Sequence, residues 1–245
     1  MKKILLQIII LFLFVSCSQN KKTDFEFGNL WKIESKSGIE SFIYGTVHLY
    51  PSSEIELSDS VISKLKKCNV LALETEISNK SEQQKFADIK QPKSLLDFIR
   101  VIKADYGNEL KNMEAELVKI SRESKIYLTG LESNDEILKI MKVNSEIKIP
   151  EKKLTDEQIL DDYQQGLNLY QAESIQKIYE VMTIQSGDKV TKLLVDNRNE
   201  NWIDNIESLI ENDKTFIAVG VGHLGGENGI LKLLSEKGYN ITRVE

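Results

Sequence analysis

The chain carries two histidines in 245 residues, and both close the same short pattern. One is Gly45-Thr46-Val47-His48-Leu49, the other Gly220-Val221-Gly222-His223-Leu224. With 13 glycines in the chain, a given His has a glycine three positions upstream about one time in twenty. For both to have one by chance is on the order of a few in a thousand. An apolar, strand-like run precedes each: Phe42-Ile43-Tyr44, and Phe216-Ile217-Ala218-Val219. Two imidazoles joined by one or two carboxylates make a ligand set for a divalent metal ion, which activates water as a nucleophile. The glycine has a physical use here. Without a Cβ it lets the strand end turn sharply, or lets another backbone approach closely, so that the ring is aimed into a cleft.

Carboxylates stand at two further strand ends. Glu74-Thr75-Glu76 follows Val70 to Leu73, and Glu132 follows Ile126 to Leu131. Glu74 and Glu76 are two apart and share a face if the strand continues. Asp196 to Trp202 forms a polar cluster in a helical stretch, with Arg198 and Asn199 between the apolar turns Leu193-Leu194 and Trp202-Ile203. An arginine so placed clamps a carboxylate or stabilises an oxyanion, or else forms an internal salt bridge to Glu74 or Glu132. Plainer alternatives stand beside these: a histidine at a strand end can be a packing residue, and an acidic residue after a strand can cap the next helix.

These residues need elements to position them. Trp31 to Ser35 and Ser41 to Val47 read as a β-hairpin around Lys36-Ser37-Gly38, followed by a loop at Pro51. Ser58 or Asp59 caps a helix to about Lys67, and Val70 to Leu73 is a short buried strand. Helical spacing covers Ser94 to Lys103 and Asn108 to Arg122, then a strand runs over Ile126 to Leu131 and a helix from Asn134 to Lys142. Residues 143–154 read as a linker with Pro150, and three helices follow near 155–168, 170–184 and 189–210. Thr215 to Gly220 is a core strand; a helix over Gly229 to Glu236 and a strand over Tyr239 to Val244 close the chain. The fold class is therefore α/β, a mixed central sheet flanked by helices, with a mostly helical insertion at about 78–210 interrupted by the strand near 126–132. In such sheets sites gather at the carboxyl ends of strands, where His48, Glu74, Glu76, Glu132 and His223 all fall.

The N-terminus has a different character. Met1-Lys2-Lys3 is basic, Ile4 to Val15 is apolar apart from Gln7, and Phe14-Val15-Ser16-Cys17 resembles a bacterial lipobox. Residues 1–16 are expected to be a lipoprotein signal peptide, Cys17 the lipidated residue and membrane attachment, 17–28 a tether, and 29–245 the domain. An ordinary cleaved signal with an incidental cysteine is the alternative. With Cys17 lipidated, Cys68 is alone and no internal disulfide forms; it reads as a small buried residue where a helix meets a strand. Hydrophobic content of 41%, charged content of 29% and a net charge of −6 suit a globular domain. The charges fall in mixed-sign runs without a basic stripe, so nucleic acid is not an expected partner.

Taken together, Gly45-Thr46-Val47-His48, Glu74-Thr75-Glu76, Leu131-Glu132-Ser133, Arg198-Asn199 and Val219 to Gly226 resemble the TraB/GumN family, along nearly the whole stretch from Trp31 to Glu245. Tyr163 and Gly166 also fall where that family tends to carry a Tyr and a Gly. The family includes the animal Tiki proteins, metal-dependent membrane-tethered proteases, and its fold is related to erythromycin-esterase-like (EreA) and haem-binding ChaN-like proteins. The resemblance implies a divalent-metal-dependent hydrolase of the bacterial envelope, with a peptide or protein substrate by analogy. His48, His223 and Glu132 would be the metal ligands, and Glu74, Glu76, Arg198 and Asn199 the catalytic groups. In that scheme Glu74 or Glu76 accepts a proton from the activated water and Arg198 steadies the developing charge. The alternative is a lipoprotein that holds a peptide, haem or metal without turning it over.

Overall fold

The hairpin expected near the N-terminus is β1 (Leu30–Glu34) and β2 (Glu40–Thr46), antiparallel with Trp31 opposite Ile43. This computed structural model describes residues 25–77, 80–89, 91–147 and 154–245; the expected signal peptide, Cys17, most of the tether and Pro150 lie outside the described residues. The last tether residues pack on the domain: Phe25 meets the edge of Trp31 at 5.3 Å between ring centroids, and the Gly28 amide donates to the Glu173 carbonyl.

After β2 come β3 (Tyr50–Pro51), α1 (Asp59–Leu65) and β4 (Val70–Thr75). Then follow α2 (Lys80–Ala87), α3 (Lys93–Tyr106), β5 (Leu110–Lys111), α4 (Met113–Glu123) and β6 (Tyr127–Glu132). The helices α5 (Asn134–Glu146), α6 (Asp156–Gln171), α7 (Ile175–Ser186) and α8 (Asp188–Thr191) lead into a π-helical turn over Lys192–Asp196 and α9 (Asn197–Asn212). The chain ends with β7 (Thr215–Gly220), α10 (Ile230–Glu236) and β8 (Asn240–Arg243).

Six strands form one mixed sheet in the order β6-β4-β7-β2-β1-β8. The first four are parallel neighbours, and β1 and β8 run antiparallel at the other side. Phe216, Ile217, Ala218 and Val219 of β7 have no exposure at all, as expected of an interior parallel strand covered on both faces. Helix α9 turns Trp202, Ile206 and Ile210 inward at four-residue spacing, one apolar stripe against the sheet. Strand β6 belongs to this sheet, in register with β4 through Thr75 opposite Glu132, so the helical region also contributes a strand to the core.

Three of the differences from the sequence reading have a clear local reason. The helix expected from Asn108 begins at Met113, because the Asn112 side chain accepts the Ala115 amide and caps it there. The residues before it make β5, which pairs with β3 at Pro51, where a loop was expected. Helix α5 runs to Glu146, past the expected Lys142, from a capping box between Ser133 and Glu136.

Gly130 is where β6 meets β4 most tightly. A methyl there would lie 2.2 Å from the Glu76 amide nitrogen and 2.5 Å from the Thr75 carbonyl carbon. Gly130→Ala is expected to cost about 1–3 kcal/mol by overpacking against backbone. Gly166, inside α6 with open space around it, should accept alanine with unchanged or slightly raised stability. Thermal denaturation of the two variants separates them.

Candidate functional site

The four parallel strands carry their polar groups at one end of the sheet. His48 lies two residues past β2, Glu74 is the next-to-last residue of β4, Glu132 ends β6, and His223 lies three residues past β7. The two Gly-x-x-His units sit on adjacent strands, with Gly45 opposite Val219 and Thr46 opposite Gly220. The glycines act differently. A methyl on Gly45 would meet Val221 Cα at 3.0 Å, so this position admits the backbone of the other motif. A methyl on Gly220 would lie 3.2 Å from Glu74 Oε1, 3.7 Å from His48 Nε2 and 3.7 Å from His223 Cδ2. The two imidazoles and the carboxylate thus converge over Gly220.

Each ring is held through Nδ1. His223 Nδ1 is 2.6 Å from Asn199 Oδ1, while the Asn199 amide nitrogen donates to the carbonyls of His223 and Asn228. With the amide oriented that way, Oδ1 accepts, Nδ1 carries the proton and Nε2 keeps its lone pair. The ring is 5% exposed and stacks at 4.6 Å on Trp202. Burial pushes its pKa down to about 4, against the pull of Glu74. His48 instead stands at the mouth of the cleft, its side chain 67% exposed, with Nδ1 2.9 Å from Glu114 Oε1. Glu114 also accepts the Thr46 hydroxyl, and Asn112 fixes the His48 carbonyl. The hydrogen bond to Glu114 and its charge raise the His48 pKa to about 9.

Arg198 ties the carboxylates together. Its Nε and Nη2 donate to Glu132 Oε1 at 3.0 and 2.5 Å, and Nη2 also reaches Glu74 Oε2 at 2.8 Å. Trp202 Nε1 donates to Glu132 Oε2 at 3.2 Å, and the guanidinium lies over the Trp202 ring. Glu132 is therefore hydrogen-bonded on both oxygens and holds Arg198. Burial raises the Glu132 pKa, offset in part by Arg198 and Trp202. Glu74 Oε1 accepts the Gly220 amide at 2.7 Å and lies 3.6 Å from His223 Nε2. Burial alone would push Glu74 up; the nearby His223, Arg198 and His48 and the amide outweigh it and bring it to about 2. Arg198 Nη1 stands 3.4 Å from His223 Nε2, at the long limit of a hydrogen bond.

Among the sequence-derived candidates, His48, His223, Glu74, Glu132, Arg198 and Asn199 form one connected cluster. Glu76 does not join it: β4 ends at Thr75, and Glu76 is exposed with its amide bonded to the Glu132 carbonyl. Glu114 is the residue that sequence reasoning missed. In the first turn after the Asn112 cap it has the look of an acidic helix-start residue, and nothing local announces that α4 carries it to His48. Tyr163, on α6, donates to the Leu49 carbonyl and fastens the loop that carries His48.

Among the described residues no group of three or more His, Cys, Asp or Glu stands ready to hold a metal ion. The donor chemistry nevertheless suits one. Two imidazoles with Glu74 beside them are the ligand types of a catalytic zinc-like site; His223 already keeps its Nε2 lone pair, while His48, its pKa raised to about 9, must give up a proton to an incoming ion. Glu74, Glu114 and Glu132 against Arg198 and protonated His48 leave one negative charge, and two once His48 gives up its proton to a divalent cation.

His223 makes the stability of the metal-free protein depend on pH. The unfolded chain takes up the proton near the ordinary value of 6.5, whereas the folded protein refuses it until about 4. The contribution is complete above pH 6.5 and is lost as pH falls toward 4, by up to about 3 kcal/mol. Urea unfolding at pH 7 and pH 4.5 should show this loss, and His223→Gln should lose less over the same interval.

A family model described as the TraB/PrgY/gumN family matches residues 29–99 and 87–243. No curated protein matches the chain.

Proposed function

The chain belongs to the TraB/PrgY/gumN family, and from that premise we propose that it is a divalent-metal-dependent hydrolase of the bacterial cell envelope, acting on peptide or protein and anchored through lipid on Cys17. The observation that carries the proposal is the convergence of His48 Nε2, His223 and Glu74 over Gly220. His48, His223 and Glu74 would hold the ion. A bound divalent ion lowers the pKa of a water it carries and polarises a carbonyl.

The protein's own groups prepare that site. Asn199 and Glu114 hold the two rings by Nδ1, so that each Nε2 faces inward. Arg198 keeps Glu74 in place and puts a fixed positive charge beside the reacting carbonyl, where negative charge develops. Glu74, with a pKa near 2, is a poor proton acceptor at neutral pH. It serves better as an ionised ligand than as the base. The ion must compete with the Gly220 amide for Glu74 and with Arg198 for His223. The second reading is a site that holds a peptide, haem or metal without turnover.

The test is metal analysis of the mature protein together with peptide hydrolysis followed by mass spectrometry. Stoichiometric metal is expected, with product formation abolished by chelator and restored by added divalent ion. Bound metal with no product under any condition supports the holding protein instead. Cys17→Ser should abolish incorporation of labelled fatty acid; unchanged labelling removes the anchor.

A further inference from the structure

Helix α4 has two faces. Met113, Leu117 and Ser121 point into the core at four-residue spacing. On the opposite side Ala115, Val118, Lys119 and Arg122 follow one another at the spacing of a single stripe. That stripe lines a groove of about 420 Å³, closed on its other side by Ile77, which follows β4 and is 47% exposed. The aliphatic part of the wall is Ile77, Ala115 and half-buried Val118, with the charged Lys119 and Arg122 at its margin.

The groove is continuous with the site already described. Its inner end is formed by Asn112 and Glu114, the two residues that hold the His48 carbonyl and ring. Glu114 Oε1 is engaged by His48 and Thr46, while Oε2 is buried without a hydrogen-bond partner, an acceptor that an N–H would satisfy once the carboxylate turned it toward the groove. At the outer end Lys119 and Arg122 set two positive charges against the one negative charge of Glu123. From Ala115 to Arg122 the helix rises about 10 Å, the span of roughly three extended residues.

We propose that this groove is the subsite for one side of the substrate: about three extended aliphatic residues running from the reacting bond, with an amide N–H at Glu114 and a carboxylate at Lys119 and Arg122. The inference rests on the hydrolase reading for the reaction, but not for the binding. The carboxylate has two sources, a peptide C-terminus or an acidic side chain at that distance.

Binding and turnover are measured separately. Fluorescence anisotropy with a labelled hexapeptide of leucine and valine bearing a free C-terminus is compared with its C-amidated form, with one carrying an internal glutamate, and with a serine–glutamine hexapeptide. The aliphatic acid should bind about 10-fold or more tighter than the polar peptide. Loss on amidation identifies the C-terminus; tight binding of an amidated peptide that keeps its glutamate identifies the side chain. Ala115→Phe, which fills the groove from an exposed position, should weaken binding by a similar factor. Lys119→Glu should remove the carboxylate dependence while leaving the aliphatic preference. Equal binding of aliphatic and polar peptides, or indifference to both substitutions, overturns the subsite. Hydrolysis of the same peptides is read by mass spectrometry. Groove-dependent binding without product leaves the subsite standing and removes the hydrolase, whereas product without aliphatic preference does the reverse.

Discussion

Replacing Arg198 by leucine is expected to lower folding stability by about 3–5 kcal/mol, the usual result of removing one partner from a buried ion network. The guanidinium is 6% exposed and holds Glu132 through two nitrogens and Glu74 through one. Without it, Glu132 keeps only the Trp202 N–H, and two carboxylates repel each other in a site that water barely reaches. Adding Glu132→Gln to Arg198→Leu should recover part of the loss, because the double variant buries one charge fewer. Urea midpoints at constant m-value measure both. Surface pairs offer the contrast. Arg100 grips Asp156 through two nitrogens at 2.7 and 2.9 Å, yet both side chains are largely exposed, and Arg100→Ala should leave the midpoint almost unmoved. If Arg198→Leu behaved like Arg100→Ala, the cluster would not be the organised centre described above.

Arg198 also illustrates what the sequence discloses. Its place between two apolar turns points to a buried arginine facing a carboxylate, and Glu74 and Glu132 stand as the two candidates. The structure takes both at once. The parallel strands were equally legible, since Phe216 to Val219 is too short and too apolar for anything but an interior strand. Glycine three residues before each histidine proved meaningful through contacts no sequence displays: the Val221 backbone against Gly45, and the three site groups around Gly220.

What escaped detection depends on distant segments. Glu114 reaches His48 only because β5 pairs with β3 and starts α4 at Met113 rather than at Asn108. The Asn112 cap was the available signal, since Asn followed by an acidic first turn marks a helix start. For Glu76 the deciding point is where β4 ends. Two residues beyond Glu74 it should share a face, but β4 ends between them and the rule lapses with the strand.

The second large effect concerns the two histidines, which should lose turnover alike and stability unequally. His48→Ala and His223→Ala are each expected to reduce peptide hydrolysis about 100-fold or more. His223 is buried, stacked on Trp202 and bonded to Asn199. Its truncation opens a cavity and leaves Asn199 Oδ1 without a donor, a loss of about 2–4 kcal/mol. His48 stands largely in solvent with one carboxylate partner, so its truncation should move the urea midpoint little. The asymmetry makes His48 the cleaner witness. A packing residue cannot be removed from a solvent-facing position and abolish activity in a protein that remains folded. Full turnover in a folded His48→Ala variant would dismiss the paired imidazoles as chemistry, whatever becomes of His223→Ala.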